Sequence, residues 1–285
     1  MRTSKENTNL YTVGEVAKLC NVSKKTLRFY DQLGIISPDY VCPDNNYRYY
    51  SQQTLSSISI VKYYKQMGFK LSEMQGLIGK PSYFYHENNF VAKINELQEE
   101  AQKIHDELIQ LHDWHRLLQE ARMVSAEYTN TISVKCLEVQ SYCSLEQAFS
   151  YDYRESILNI PWTNYLQSQQ QEITGPVVLK YDSYADKYNG TSNQATIMQK
   201  PVLSDQPVPN LTTLGGFFVS TYHLGDLGTI NAEYPKVQQW ATDNGYTCGP
   251  ECYERYVVDY WTTTNPEEFV TEILIPISKQ KCTAK

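Results

Sequence analysis

Nine positions of this chain, Phe90, Ile94, Leu97, Ala101, Ile104, Leu108, Leu111, His115 and Leu118, follow one another at intervals of 4, 3, 4, 3, 4, 3, 4 and 3 residues. All but His115 are apolar. Alternating steps of 3 and 4 place side chains along one narrow seam of an α-helix. Glu96, Glu99, Glu100, Lys103, Asp106 and Glu107 are then left facing out. The spacing predicts a long helix that pairs with a second copy of the chain as a coiled coil through residues 90–118. The competing reading is a long amphipathic helix packed on its own domain, which ordinarily shows a broader apolar stripe. A length of 285 residues suits about two compact units.

Ahead of the seam the helix signals are short and closely spaced. Thr12-x-x-Glu15 fits a capping box, and Val13, Val16, Ala17 and Cys20 follow at helical spacing. Asn21-Val22 interrupts them. Ser23 then caps a second helix, KKTLRFYDQL, which Gly34 stops. Two short helices about a tight turn form the helix-turn-helix pattern. Lys24, Lys25, Thr26 and Arg28 lie near the start of the second helix, where a recognition helix meets phosphates and base edges. Ile35-Ile36 and Tyr49-Tyr50 flank a segment rich in turn formers, Pro38, Pro43 and Asp44-Asn45-Asn46, which predicts a β-hairpin wing. Ser51 caps a further helix ended by Gly68. A short helix after Ser72 carries Met74, Leu77 and Ile78, and Gly79-Lys80-Pro81 breaks the chain.

From about residue 130 the texture changes. TISVKCLEV (131–139), GPVVLKY (175–181), ATIMQK (195–200), GGFFVSTYH (215–223), ERYVVDYW (254–261) and EILIPI (272–277) read as strands, with helix-like segments at 144–150 and 231–244. Strands grouped this way predict an α+β domain with an antiparallel sheet rather than alternating βαβ units.

Charge is distributed unevenly between these parts. Residues 1–82 hold 11 Lys/Arg against 6 Asp/Glu, a balance of +5, and the rest holds 14 against 26, a balance of −12. A basic head on an acidic body points to a polyanion as the partner of the head. No apolar run approaches the roughly 18 residues of a membrane helix, and MRTSKENTNL is not of signal-peptide type. The expectation is a cytoplasmic protein with no membrane partner. Seven cysteines, an odd number without a C-x-x-C pair, argue against a disulfide framework and a structural zinc site. Cys248-x-x-x-Cys252 is the tightest pair, has no His beside it, and reads as two reduced cysteines. No metal and no cofactor is expected.

The stretch YTVGEVAKLCNVSKKTLRFYDQLGIISP…NNYRYYSQQTLSSISIVKYYKQMGFKLSEM closely resembles the MerR family of bacterial transcription regulators, and the resemblance covers residues 11–78 almost continuously. Phe29 departs from the family, which often has a tyrosine there, so no phosphate contact is assigned to it. The resemblance implies a winged helix-turn-helix at 1–82, a linker and antiparallel coiled-coil dimerisation helix at 83–127, and an effector domain at 128–285. It also implies double-stranded promoter DNA as a partner, bent and untwisted so that RNA polymerase engages two elements set too far apart. Backbone contacts then offset the deformation energy. On this basis Arg28 contacts a base edge or phosphate, and Tyr30, Tyr47, Arg48 and Lys65 hold phosphates. Tyr49 and Tyr50 are expected to pack the wing on its helix.

The C-terminal half, TYHLGDLGTINAEYPKVQQWATDNGYTCGPECYERYVVDY…EILIPI, resembles the gyrase-inhibitor-like effector-binding domain of multidrug-sensing members of that family. This implies an aromatic-lined cavity with Glu254 as its carboxylate and Glu272 as a second candidate. Tyr256, Trp162, Tyr165 and Tyr222 are the aromatic candidates, with Tyr151, Tyr153, Tyr253, Tyr260 and Trp261 also available. Aromatic faces and a carboxylate suit a lipophilic cation. Metal sensors of the family usually place cysteines at the ends of the dimer helix, and residues 79–127 contain none. Two alternatives stand beside a ligand-responsive regulator. One is a hydrolase that uses Glu254 and Tyr256 on a small electrophile; the other is a DNA-binding protein that needs no ligand.

Overall fold

The computed structural model describes residues 10–74, 82–127, 131–169, 171–202 and 211–279. The chain divides into two compact units, Met1–Ala101 and Gln102–Lys285.

The first unit opens with β1, Tyr11–Thr12, and α1, Val13–Leu19. Thr12 caps α1, and the Glu15 carboxylate reaches back to the Thr12 N–H, which completes the capping box read from the sequence. Ser23 caps α2, Lys24–Gln32, by accepting from the Thr26 N–H at 2.9 Å. Gly34, at φ +67°, lets the chain turn away in a backbone region closed to most residues. The hairpin strands are β2, Tyr40–Val41, and β3, Arg48–Tyr50, with β1 on the far side of β3. Ile35 and Ile36, expected to begin the wing, are buried core residues instead. Two adjacent apolar residues after a helix stop gain more from the core than from a two-sided hairpin. α3, Gln52–Gln66, is capped by Ser51, and α4, Leu71–Met74, follows. Leu77, Ile78 and the break at 79–81 lie outside the described residues.

α5 spans Tyr83–Glu127. In the single chain, Ile94, Leu97, Ile104, Leu108, Leu111 and Leu118 are exposed large apolar side chains. Phe90 is not part of an open seam: it stacks on Tyr64 and meets Phe69 edge-on within the first unit. Trp114, Leu117, Ala121 and Val124 form a second stripe, which packs against Val257, Val258 and Val270 of the second unit. Beyond Phe90 the 3,4 seam is open in the single chain, while the second stripe packs the helix on its own unit, as the competing reading expects.

The second unit is built on β4 (Ser133–Ala148), β5 (Ile173–Tyr181), β6 (Gln194–Pro201), β7 (Leu211–Leu224), β8 (Tyr246–Cys248), β9 (Cys252–Val258) and β10 (Val270–Lys279). Pairings β7–β4–β6–β5–β9–β10 and back to β7 close a ring of antiparallel strands, with β8 added on β10. Residues 144–148, expected to be helical, continue β4 against β6. Leu, Glu, Gln and Ala favour helix intrinsically, but strand pairing overrides that weak preference here. Gly215 passes so close to the bulge in β4 that an added Cβ would lie 2.5 Å from the Val139 Cα.

Short helices cover the outer face of the ring: α6 (Tyr153–Ile157), α7 (Ile160–Ser168), α8 (Tyr184–Asn189), a 3-10 turn at Leu227–Ala232 and α9 (Glu233–Asp243). The first three were not expected, although Asp152, Asn159 and Ser183 each cap one through a side-chain oxygen. Side chains alternate along each strand. Val178, Met198, Leu214, Phe218, Tyr253 and Leu274 meet on the inner face. Leu179, Tyr181, Ile197, Tyr256, Ile273 and Ile275 meet the helices on the outer face.

Candidate functional site

In the head, burial divides α2 cleanly. Leu27 and Tyr30 face the core, while Lys24, Lys25 and Arg28 are exposed. Lys24 and Arg28 are i,i+4 neighbours and share one helix face. Thr26 is half-buried, and its hydroxyl pairs with the Ser23 capping hydroxyl at 2.8 Å. Tyr30 is only 2 % exposed, so its place is the core rather than an open surface, a correction to its expected role on a phosphate. Its i+3 spacing from Leu27 is the cause.

The wing hairpin presents Tyr47 as an exposed ring beside Asn46, whose φ is +55°. Arg48 donates from Nε to Asp31 Oδ2 at 3.0 Å and so ties the wing to α2. Tyr50 is fully buried, and Tyr49 packs on Tyr40 with ring centroids 5.9 Å apart, so both anchor the wing. Asp39 accepts from the Ser51 N–H at 2.7 Å and from the Thr54 hydroxyl at 2.7 Å, which fixes the wing base to the start of α3. Burial works to raise its pKa, but these hydrogen bonds outweigh that and hold it below the usual carboxylate value. Lys65 is exposed on the last turn of α3.

In the second unit Glu254 is fully buried on the outer face of β9. Its Oε2 accepts from Tyr256 at 2.6 Å and Tyr181 at 3.2 Å, and its Oε1 accepts from Tyr234 at 2.7 Å. Burial, with the Glu254 charge adding to it, pushes these phenols well above their ordinary pKa, so they stay protonated and donate. The partner that sequence reasoning missed is Lys187 on α8. Its ammonium lies 2.8 Å from Glu254 Oε1 and also donates to the Tyr153 hydroxyl and Asn231 Oδ1, each at 2.8 Å. It sits 5.1 to 5.9 Å from the ring centres of Tyr181, Tyr153, Tyr234, Tyr151 and Phe149. A lysine within YADKYN carries no sequence signal for burial, whereas the Glu254-x-Tyr256 alternation did mark one shared strand face.

A cleft of about 420 Å³ adjoins this cage, and Tyr151 and Tyr153 belong to both. Tyr260, Leu227, Asp152 and Asp226 also line it. Tyr151 has φ +64°, a conformation costly for a non-glycine residue and common where a side chain is held for binding.

The other ligand candidates do not join Glu254. β9 and β10 pair Arg255 with Glu272, one residue out of step with Glu254, so Glu272 lies on the opposite face of the strands, with Arg255. It accepts from Lys135 at 2.7 Å, Ser220 at 2.8 Å and Arg255 at 2.9 Å. Tyr222 lies with this group and donates to Glu120 of α5 at 2.7 Å. Grouping Glu272 and Tyr222 with Glu254 is thus corrected by strand alternation. These paired charges line a separate cavity of about 340 Å³ between α5 and the ring. Trp162 is buried on the outer face with its N–H on Gln199 Oε1 at 2.8 Å, and Tyr165 stacks on it. Both belong to the core that supports the cage. Cys252 is buried with its thiol 3.6 Å from the Tyr234 hydroxyl, and Cys248 is half-buried on β8.

Residues 11–80 match the MerR HTH family regulatory protein model, and residues 195–278 match the GyrI-like small molecule binding domain. The multidrug-efflux transporter 2 regulator of Bacillus subtilis is 24 % identical over 94 % of this chain and 97 % of its own length. The multidrug-efflux transporter 1 regulator of the same organism is 46 % identical over 65 residues, 23 % of each chain. Among solved structures, the EcmrR–DNA complex in EcmrR-RPo is 22 % identical, with a TM-score of 0.44, over 94 % of this chain and 100 % of that one. The chain thus joins a MerR-type helix-turn-helix head, residues 11–80, to a GyrI-like small-molecule-binding domain, residues 195–278.

Proposed function

We propose that the chain is a homodimeric transcription regulator that binds and distorts a promoter with an over-long spacer. It activates transcription by RNA polymerase when a lipophilic, cationic small molecule occupies its C-terminal domain. Residues 1–82 hold DNA through Lys24, Lys25, Arg28, Tyr47, Arg48 and Lys65. Residues 83–127 supply the dimer helix through its exposed seam, and residues 128–285 sense the effector.

The observation that carries the reading is the chemistry around Glu254. Three phenol donors, a carboxylate and five ring faces surround a point already filled by a cation, the ammonium of Lys187. Ring quadrupoles and a desolvated carboxylate stabilise positive charge, and rings of this size match flat or bulky apolar groups. Two relatives are named as regulators of multidrug-efflux transporters, in keeping with an effector of this kind. The hydrolase alternative needs a free general base. Glu254 accepts four donors through its two oxygens, which favours binding over catalysis.

The test is transcription in vitro from the promoter upstream of this gene, with a panel of lipophilic cations and their neutral isosteres. Cations are expected to raise transcript yield, and Glu254→Gln to abolish the response. Equal yield with and without every compound would sink the proposal, and consumption of a compound without a transcript response would favour the hydrolase.

A further inference from the structure

The cage around Glu254 is occupied by part of the chain itself. We propose that Lys187 is a resident cation in the effector site and that a cationic effector binds by taking its place on Glu254. The inference rests on the effector reading above and adds how entry is controlled.

The geometry supports exchange rather than simple addition. Lys187 is fully buried, its three ammonium protons are all placed, and Glu254 is fully buried with it. A second cation brought beside Lys187 would meet a like charge in a dry site, with only one carboxylate to share. Exchange keeps the charge of the cage constant: one ammonium returns to water as another cation enters. Departure of Lys187 into water alone would leave Glu254 buried and unpaired, which is strongly unfavourable. A neutral molecule therefore has no means of displacing it, and selectivity for cations follows from the pair.

A route for the lysine is present. The side chain has a flexible four-carbon stem, and α8 is a single short helix that ends at Gly190 with φ +75°. The adjoining cleft shares the Tyr151 and Tyr153 rings and carries Asp152 and Asp226, which suits a departing ammonium and an arriving cation alike. The Tyr151 hydroxyl donates to the Lys187 carbonyl at 3.2 Å, so one cage ring is also fastened to the backbone that must give way.

The test uses the full chain and phenyltrimethylammonium, with tert-butylbenzene as its neutral isostere. Binding is followed by calorimetry, and access to Lys187 by its rate of acetylation, read by mass spectrometry. An ordinary ligand protects the residues of its site. Here saturation with the cation is expected to speed acetylation of Lys187 at least about tenfold, and the neutral isostere to leave it unchanged. Lys187→Ala is expected to bind the cation at least about tenfold more tightly, because the competing occupant is gone. If the cation saturates the protein while Lys187 stays protected, or if Lys187→Ala binds no more tightly, exchange is wrong and the effector reading survives. If neither the wild-type chain nor Lys187→Ala binds the cation, both fall. The acetylation readout needs no variant, so a misfolded Lys187→Ala leaves the question decidable.

Discussion

Glu254 and Arg255 are consecutive residues of one strand that serve opposite faces of the ring. Glu254 holds Lys187 on the helix-covered outside. Arg255 forms a two-pronged pair with Glu120 of the long helix, Nη1 to Oε1 at 2.6 Å and Nη2 to Oε2 at 2.8 Å, and a third bond to Glu272 at 2.9 Å. One strand thus carries the cage on one side and the fastening of α5 on the other.

Loss of Arg255 should loosen α5 where it meets the ring. Arg255→Met leaves Glu120 and Glu272 without their shared partner, and a cost of about 3 kcal/mol is expected because the pair is largely desolvated. Hydrogen exchange should accelerate at residues 114–124 of α5. Unchanged protection there would show that apolar packing of Leu117 and Ala121 suffices. Glu120→Gln should cost less, since Tyr222 and one Arg255 bond persist.

The two stripes of α5 should separate dimerisation from folding. Leu108 is 49 % exposed and Leu111 67 % exposed, so Leu108→Asp with Leu111→Asp should yield folded monomers in sedimentation experiments. Leu117 is 3 % exposed and packs on the ring, so Leu117→Ala should cost about 2–5 kcal/mol and leave the dimer intact. A monomer from the second variant, or a dimer from the first, would reverse the assignment of the faces.

Stability should fall as pH rises from about 4 to about 6 through Asp259. Burial raises its pKa from 3.8 to about 6, against the opposing hydrogen bond from the Trp261 N–H. A carboxyl whose folded pKa lies above its unfolded value favours folding while protonated, and that contribution is lost as pH rises through the folded pKa. Asp259→Asn should therefore gain about 2–3 kcal/mol at pH 8 and nothing at about pH 4, as read by thermal unfolding. Glu120 has the opposite sign. Burial would raise its pKa, but the Arg255 pair holds it below 4.5, so its contribution disappears as the solution becomes more acidic than that.

Arg48 spends its Nε–H on Asp31, and under the proposed function the rest of its guanidinium is to hold the DNA backbone. Arg48→Ala should weaken binding nearly equally for all sequences and reduce the slope of log affinity against log salt by about one. Weaker binding with an unchanged slope would mean that Arg48 acts only by holding the wing to α2.

Local chemistry was enough to read the head. The Thr12 and Ser23 caps, the Gly34 stop and the wing turn each act over a few residues, and the structure has all of them. The 3,4 spacing likewise announced α5, because helical period is a property of the chain alone. Strand runs of the second unit were legible for the same reason, through alternation. What the tertiary structure decided was which charges meet. Alternation marks Glu254 and Tyr256 as sharing a face, but only the β9–β10 register separates Glu272 from them. Lys187 joins Glu254 across 67 residues of sequence because α8 packs on the outer face of the ring. A buried ion pair is stable only where both partners and their hydrogen bonds are assembled together, and neither residue carries that information in its own segment.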